Sequence, residues 1–287
     1  MIIKRMAALA LGLFGFATQA PAQANGTVER LYIAYCGEGT AINVAVWSPH
    51  VDVGKSVEFS NNCYLIKHAK GWLLFGTGLA DSMGPEGTPP SGQRPVFPGT
   101  LKFRRMKTLA DELKAINLSP ADVKYVAISH IHPDNTGNIG MFPKSTFLIQ
   151  KAEYEWRVTP AGVAPAVWGI FSNLHNIESL PVLLEGDHDV FGDGSVRLIS
   201  TPGHTPGHQS LLVRAKNTGA VLLSGDAVHL RSNWENRRVP AHNVSVRETL
   251  ESMTKMELIL KVEKAQLWIN KDKAQSDSLR KLPAYYD

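Results

Sequence analysis

The stretch Ser129–Asn138, SHIHPDNTGN, sets His130, His132 and Asp134 at alternate positions. Further along, His204 lies in TPGHTPGH and Asp226 in LLSGDAVH, each just after a run rich in aliphatic residues. Imidazole nitrogens and carboxylate oxygens are ligands of zinc, and a catalytic zinc keeps one coordination position open for water. A lone histidine is more often structural than ligating. Four candidate ligands at the ends of three strands are a different matter, and together they predict a metal site. Gly203 and Gly207 flank His204 and would let the backbone turn tightly around an ion. His208, His229 and His242 lie close to these motifs in the chain, but a structural role is expected for each, and Tyr154 and Trp156 are expected to pack. The chain has neither a Gly-x-Ser-x-Gly elbow nor a glycine-rich phosphate loop, so serine-nucleophile chemistry has no support.

These residues need a scaffold of alternating elements. Runs of apolar, β-branched or aromatic residues bounded by Gly, Pro, Asn or Asp predict strands at Leu31–Tyr35, Cys63–Lys67, Trp72–Phe75, Tyr125–Ser129, Thr146–Gln150, Val196–Ser200, Ser210–Arg214, Val221–Ser224 and Gln266–Ile269. Leu109, Leu113 and Ile116 recur at helical spacing, and Ser119-Pro120 reads as a helix start. Arg247–Val262 is the longest predicted helix, with Leu250, Met253, Met256, Leu258 and Leu260 on its apolar side; a last helix is expected around Ala274–Leu282. Strands dominate early and late with helices interposed, so the fold class is α/β, two mixed sheets covered by outer helices rather than one open parallel sheet. The Gly/Pro-rich stretch Gly84–Gly99 reads as a surface loop.

The 287 residues suffice for a large core. Residues 1–24 read as a signal peptide: Lys4 and Arg5, an apolar run from Ala7 to Ala17, then Ala22-Gln23-Ala24 before the cleavage point. That run is too short to span a bilayer. The domain proper is then residues 25–287, exported to the periplasm or beyond, with no stable membrane insertion after cleavage. Losing Lys4 and Arg5 lowers a formal charge of +4 by two units, which gives no reason to expect a nucleic-acid partner. Export would allow Cys36 and Cys63, the two cysteines, to form a disulfide, although both can equally sit reduced in a core.

Taken together, NNCYLIKH, GWLLFGTG, SHIHPDNTGN, FPKSTFLIQKAEYEW, STPGHTPGHQSLLV, LLSGDAVHL and LWINKDKAQ resemble the metallo-β-lactamase superfamily, in its N-acyl homoserine lactonase-like branch. The resemblance covers essentially the whole mature chain. It implies an αβ/βα four-layer sandwich with metals at the sheet edges, and an enzyme that opens lactones or related bonds with metal-bound hydroxide. By the same resemblance, His130, His132 and His204 would hold a first metal, with Asp226 bridging to a second held by Asp134 and by the residues at Asn135 and Lys271. The family has histidine at those last two positions. Asn is a poor ligand and Lys is normally a cation. A third departure is Gly76, where GTG replaces DTG and removes a carboxylate near the site.

The departures concentrate on one half of the site. A single zinc per chain is therefore expected, or iron or another divalent ion, on His130, His132, His204 and Asp226, acting on a small-molecule substrate such as an acyl lactone. Asp134 and Asp226 are the candidate catalytic carboxylates, Asp134 orienting the attacking water. Lys271 is expected to replace the missing ion electrostatically, although a one-residue slip would put Asn270 there instead. Two other readings stand beside this one. One is a binding protein that has kept the fold and lost the chemistry. The other is a mononuclear iron site of His130, His204 and Asp226.

Overall fold

The structure, a computed structural model, describes residues 28–88, 99–157 and 181–287. The expected signal peptide and part of the Gly84–Gly99 loop lie outside the described residues. Among the described residues no helix is long and apolar enough to cross a membrane.

One half of the chain builds a mixed sheet from β1 (Val28–Ala41), β2 (Val57–His68), β3 (Gly71–Phe75), β4 (Leu101–Arg104), β5 (Val123–Ala127), β6 (Thr146–Gln150) and β7 (Val182–Leu184). β1, β2 and β3 pair antiparallel, β3, β5, β6 and β7 run parallel, and β4 adds to the end of β1. The other half is a meander of β8 (His188–Asp189), β9 (Val196–Ser200), β10 (Gln209–Ala215) and β11 (Gly219–Leu223), with β12 (Gln266–Trp268) parallel to β11. The halves are joined along β1 and β10 through the pair Val28 and Ala215.

Alternation along the strands sets the layers, because successive side chains point to opposite faces. Leu31, Ile33, Tyr64 and Ile66 from the first half meet Leu211, Val213, Val221 and Leu223 from the second in one shared core. Their neighbours Tyr32, Ala34, Cys63 and Leu65 face the other way, against α1 (Leu109–Ala115). Leu212 and Leu222 face Met253 and Met256 of α5 (Val246–Glu263), which follows the short α4 (Arg231–Asn236). The order is helix, sheet, sheet, helix, as expected for the αβ/βα sandwich. α1 starts at a capping box of Thr108 and Asp111, and α5 at Ser245, which accepts from the Glu248 N–H. Leu258 departs from the expected apolar side of α5 and is 61% exposed, since a residue two on from Met256 faces away from it.

Cys36 and Cys63 form a disulfide between β1 and β2, closing a sequence separation of 27 residues with the Cα atoms 5.6 Å apart. A loop of that length implies a stabilisation of about 3.5 kcal/mol through the unfolded state. Reduction, or the pair Cys36→Ser and Cys63→Ser, should lower the melting temperature by roughly 10 °C for a domain of this size, and calorimetry with and without reductant checks it.

Candidate metal centre

β5 ends at Ala127, and the chain then delivers His130 and His132 before Pro133 opens the short helix α2 (Pro133–Thr136). Pro suits this first helical position because its missing N–H has no partner to lose. His204 arrives from the turn between β9 and β10, and Asp226 from the turn after β11. His130 Nε2, His132 Nδ1 and His204 Nε2 converge with mutual distances of 2.9, 3.0 and 3.2 Å. Ligand nitrogens around a tetrahedral zinc lie roughly 3.3 Å apart when the bonds are 2.0–2.1 Å, so the cluster is already close to the spacing an ion needs. Burial, reinforced by the neighbouring imidazoles, holds His130 and His132 well below the usual histidine range. Burial also lowers His204, against an opposing pull from Asp226. Neutral imidazoles are what a metal binds, and the donor set fits a divalent ion.

Two of the three rings are oriented from behind. His204 Nδ1 lies 3.0 Å from Asn243 Oδ1, and Asn243 in turn donates to Thr249 Oγ1 at the start of α5. His130 Nδ1 lies 2.9 Å from Ser129 Oγ, a hydroxyl rather than a carboxylate. Asp226 Oδ2 is 3.8 Å from His130 Nε2 and 4.0 Å from His204 Nε2, while Asp226 Oδ1 is buried without a hydrogen-bond partner among the described residues.

Lys271 rises from the segment after β12 and is 2% exposed. Its ammonium donates to Asp134 Oδ2 and, at 2.9 Å, to Asn61 Oδ1, with Asp226 Oδ2 at 3.6 Å. Burial works against the charged form of Lys271, but Asp134 and Asp226 outweigh it and raise its pKa above the ordinary value. Burial raises Asp226, with Lys271 pulling the other way. Asn270 lies beside Lys271 at the edge of the site, its side chain accepting from Asn62 N, donating to Asn61 and reaching the Asp226 carboxylate. Asn135 sits against the cluster with Nδ2 3.5 Å from His130 Nε2. Gly76 adopts a left-handed φ of 78°, a conformation that favours glycine.

Three residues support the site from outside the expected ligand set, and two of them, Asn61 and Glu153, were not singled out from the sequence. Asn61 donates to the Asp134 carbonyl oxygen as well as accepting from Lys271. Glu153, on α3 (Lys151–Trp156), is fully buried and accepts from Ile131 N and Gly207 N at 2.8 and 2.9 Å, tying the His130–His132 turn to the turn after His204. His208, expected to be structural, accepts from Asp226 N through Nε2, with Nδ1 2.9 Å from the Thr201 hydroxyl. The glycines around His204 serve neighbouring helices more than an ion. A Cβ on Gly203 would meet Thr249 N at 2.4 Å, and one on Gly207 would meet Glu153 N at 2.2 Å. Tyr154 packs, whereas Trp156 also reaches the pocket.

The cluster opens into a cavity of about 410 Å³ lined on its polar side by His132, Asp134, His204, Asp226, His229, His242 and Lys271. Val46, Trp47, Leu101, Trp156 and Val244 form an apolar wall.

The profile of the metallo-beta-lactamase superfamily matches residues 57–259, and the chain belongs to that superfamily. Within it the chain falls in the N-acyl homoserine lactonase-like branch, a branch of metallo-hydrolases. It is 32% identical over 247 residues to the N-acyl homoserine lactonase AttM of Azorhizobium caulinodans, covering 82% of this chain and 90% of that one. It is 30% identical over 276 residues to the N-acyl homoserine lactonase AiiA of Bacillus thuringiensis, covering 90% and 99%. A crystal structure of an N-acyl homoserine lactone hydrolase with N-hexanoyl-L-homoserine at its catalytic metal centre superposes with a TM-score of 0.75 at 27% identity, over 90% of this chain and 99% of that one.

Two substitutions test how the site is held. Lys271→Met leaves two carboxylates facing each other in a dry cleft, and removing one partner of a buried ion pair costs about 3–5 kcal/mol; urea melts of the metal-free protein should show a loss of that order. Glu153 is pushed up to about 7, first by burial. A carboxylate whose folded pKa lies above its unfolded one binds more protons folded than unfolded, so stability falls as pH rises between the two values. Glu153 should contribute such a fall between about pH 4.5 and 7, and Glu153→Gln should remove that component from the pH profile of the urea midpoint.

Proposed function

We propose that this metallo-hydrolase opens an acyl lactone or a similar cyclic ester at a single tightly held divalent ion, most simply zinc. The observation that carries the reading is the convergence of three neutral ring nitrogens, from His130, His132 and His204, on one point of a half-apolar pocket. Asp226 completes the proposed ligand set. When bound there, the ion supplies a Lewis acid for the carbonyl oxygen and lowers the pKa of the water it holds. The apolar wall of Trp47, Leu101, Trp156 and Val244 suits an acyl chain, which would direct the ring toward the histidines.

The carboxylates divide the remaining work. Asp134 is engaged by Lys271, so its proposed part is to help hold the ammonium in place. Asp226 keeps Oδ1 without a partner among the described residues, and its pKa is raised by burial, which suits a general base. We therefore assign proton acceptance from the attacking water to Asp226 Oδ1, in place of the water-orienting role first expected of Asp134. The proton then passes to the ring oxygen as the acyl–oxygen bond breaks, giving a hydroxy acid. Lys271 contributes positive charge beside this carboxylate and fixes its position.

Export is also proposed. The Lys4–Ala24 pattern supports it, and so does the bridge between Cys36 and Cys63, since disulfides persist in oxidising compartments. N-terminal sequencing of protein from an exporting host should find a chain beginning near Asn25; uncleaved cytoplasmic protein would overturn this.

Elemental analysis after dialysis against a weak chelator should find one retained ion per chain, with turnover of a lactone panel depending on it. His130→Ala should remove both the ion and the turnover. Two retained ions would overturn the reading of Asn135 and Lys271, a folded metal-free protein without turnover would select a binding role, and bound iron with oxygen uptake would select oxygen chemistry.

A further inference from the structure

Lys271 occupies the charge position between Asp134 and Asp226, yet the same pocket carries imidazoles that the reading above does not use. His229 and His242 line it beside His204, and the three residues offer ligand nitrogens that lie within 4.8 Å of one another. His229 follows Asp226 by three residues and places Nε2 3.7 Å from Asp226 Oδ2. It is buried, and its Nδ1 has no hydrogen-bond partner among the described residues. A buried imidazole with an unpaired nitrogen beside a carboxylate is an exception that calls for a physical cause, such as an ion. The His242 ring makes a hydrogen bond to the Val46 backbone, which orients it as an outer partner orients a ligating imidazole.

His204 is committed elsewhere. Its Nδ1 faces Asn243 and its Nε2 meets His130 and His132, so it serves one ion at a time. We propose that His229, His242 and the Asp226 carboxylate form a second divalent-cation site, separate from the position filled by Lys271. The proposal rests on the assignment of His130, His132 and His204 to the first ion. Two imidazoles and one carboxylate suit a borderline divalent metal such as zinc or cobalt rather than magnesium or calcium. His242 is the exposed member and stands at the pocket mouth, where solvent competes for its ring. The second ion is accordingly the weaker and the more exchangeable.

Metal-free mature protein titrated with Co2+, followed by calorimetry and visible absorption, should show a tight step and then a weaker one. His242→Ala should weaken the second step at least about tenfold, since even an outer-shell partner is worth that much in metal affinity, and should leave the first intact. His229→Gln should act in the same direction, with the surviving first step reporting an intact fold. A single step in the wild type, or a second step that persists in both variants, overturns the proposal. His130→Ala separates the two readings, since it should abolish the tight step and spare the weak one. A tight step that survives His130→Ala refutes the first-ion assignment without touching the second site.

Discussion

A dry cleft does not hold two facing carboxylates without a cation, and the arrangement of this site follows from how Asp134 and Asp226 are neutralised. Lys271 lies between them, nearly fully buried, with Asn61 completing its acceptors. At about 4 Å and an effective dielectric near 20, each such attraction is worth roughly 4 kcal/mol before desolvation is subtracted. That scale explains why an ammonium can be kept charged so far from water. It also links distant parts of the chain, because Asn61 comes from β2, Asp134 from α2 and Lys271 from the segment after β12. The ion pair is thus a fastener between the two halves of the sandwich as well as a piece of the site.

The other half of the site is fixed by neutral contacts. Glu153 accepts from the backbone of both histidine-bearing turns, His208 accepts from Asp226 N, and Asn243 fixes the tautomer face of His204. Each contact is made by a residue that packs beneath the ligands rather than among them. This explains why Gly203 and Gly207 are needed: the turns lie so close to α5 and α3 that a Cβ would collide with backbone nitrogen. Rigid positioning of the three imidazoles therefore comes from close packing of helices against loops, a requirement that would exist without any ion.

Periodicity was enough to read nine of the twelve strands of the described residues and the long helix, because two-residue alternation and the Met253–Met256 face are both direct consequences of burial, while β4, β7 and β8 are too short to show a pattern. The strands ran longer than their apolar cores, since β1 and β2 extend through polar residues such as Glu38 and Glu58 that lie in the ladder. Among site residues, His130, His132, Asp134, His204 and Asp226 were legible because ligand chemistry limits residue type and motif spacing, whereas Lys271 was placed only by the family resemblance, which has a histidine there. Asn61 and Glu153 were not. Their roles depend on contacts across 73 and 22 residues, and nothing in a single sequence distinguishes a buried clasp from a solvated polar residue. Trp156 illustrates the same limit, reading as core and serving as pocket wall.

An ammonium matches a metal ion in sign but not in kind. It donates hydrogen bonds and accepts no lone pair, so it can neutralise Asp134 and Asp226 without drawing electrons from a substrate oxygen. Lys271 has its partners already in Asn61 and the carboxylates, which leaves little of it to offer a ligand. Electrophilic help from that side of the pocket requires a cation, and a cation is held by groups that still have a lone pair to donate. Asp226 Oδ1 and His229 Nδ1 are the buried polar atoms of the pocket without a partner among the described residues, and they belong to side chains that adjoin each other. With Asp134 engaged by Lys271, the unpaired acceptors of the pocket lie instead at Asp226 and His229, toward the mouth where His242 stands.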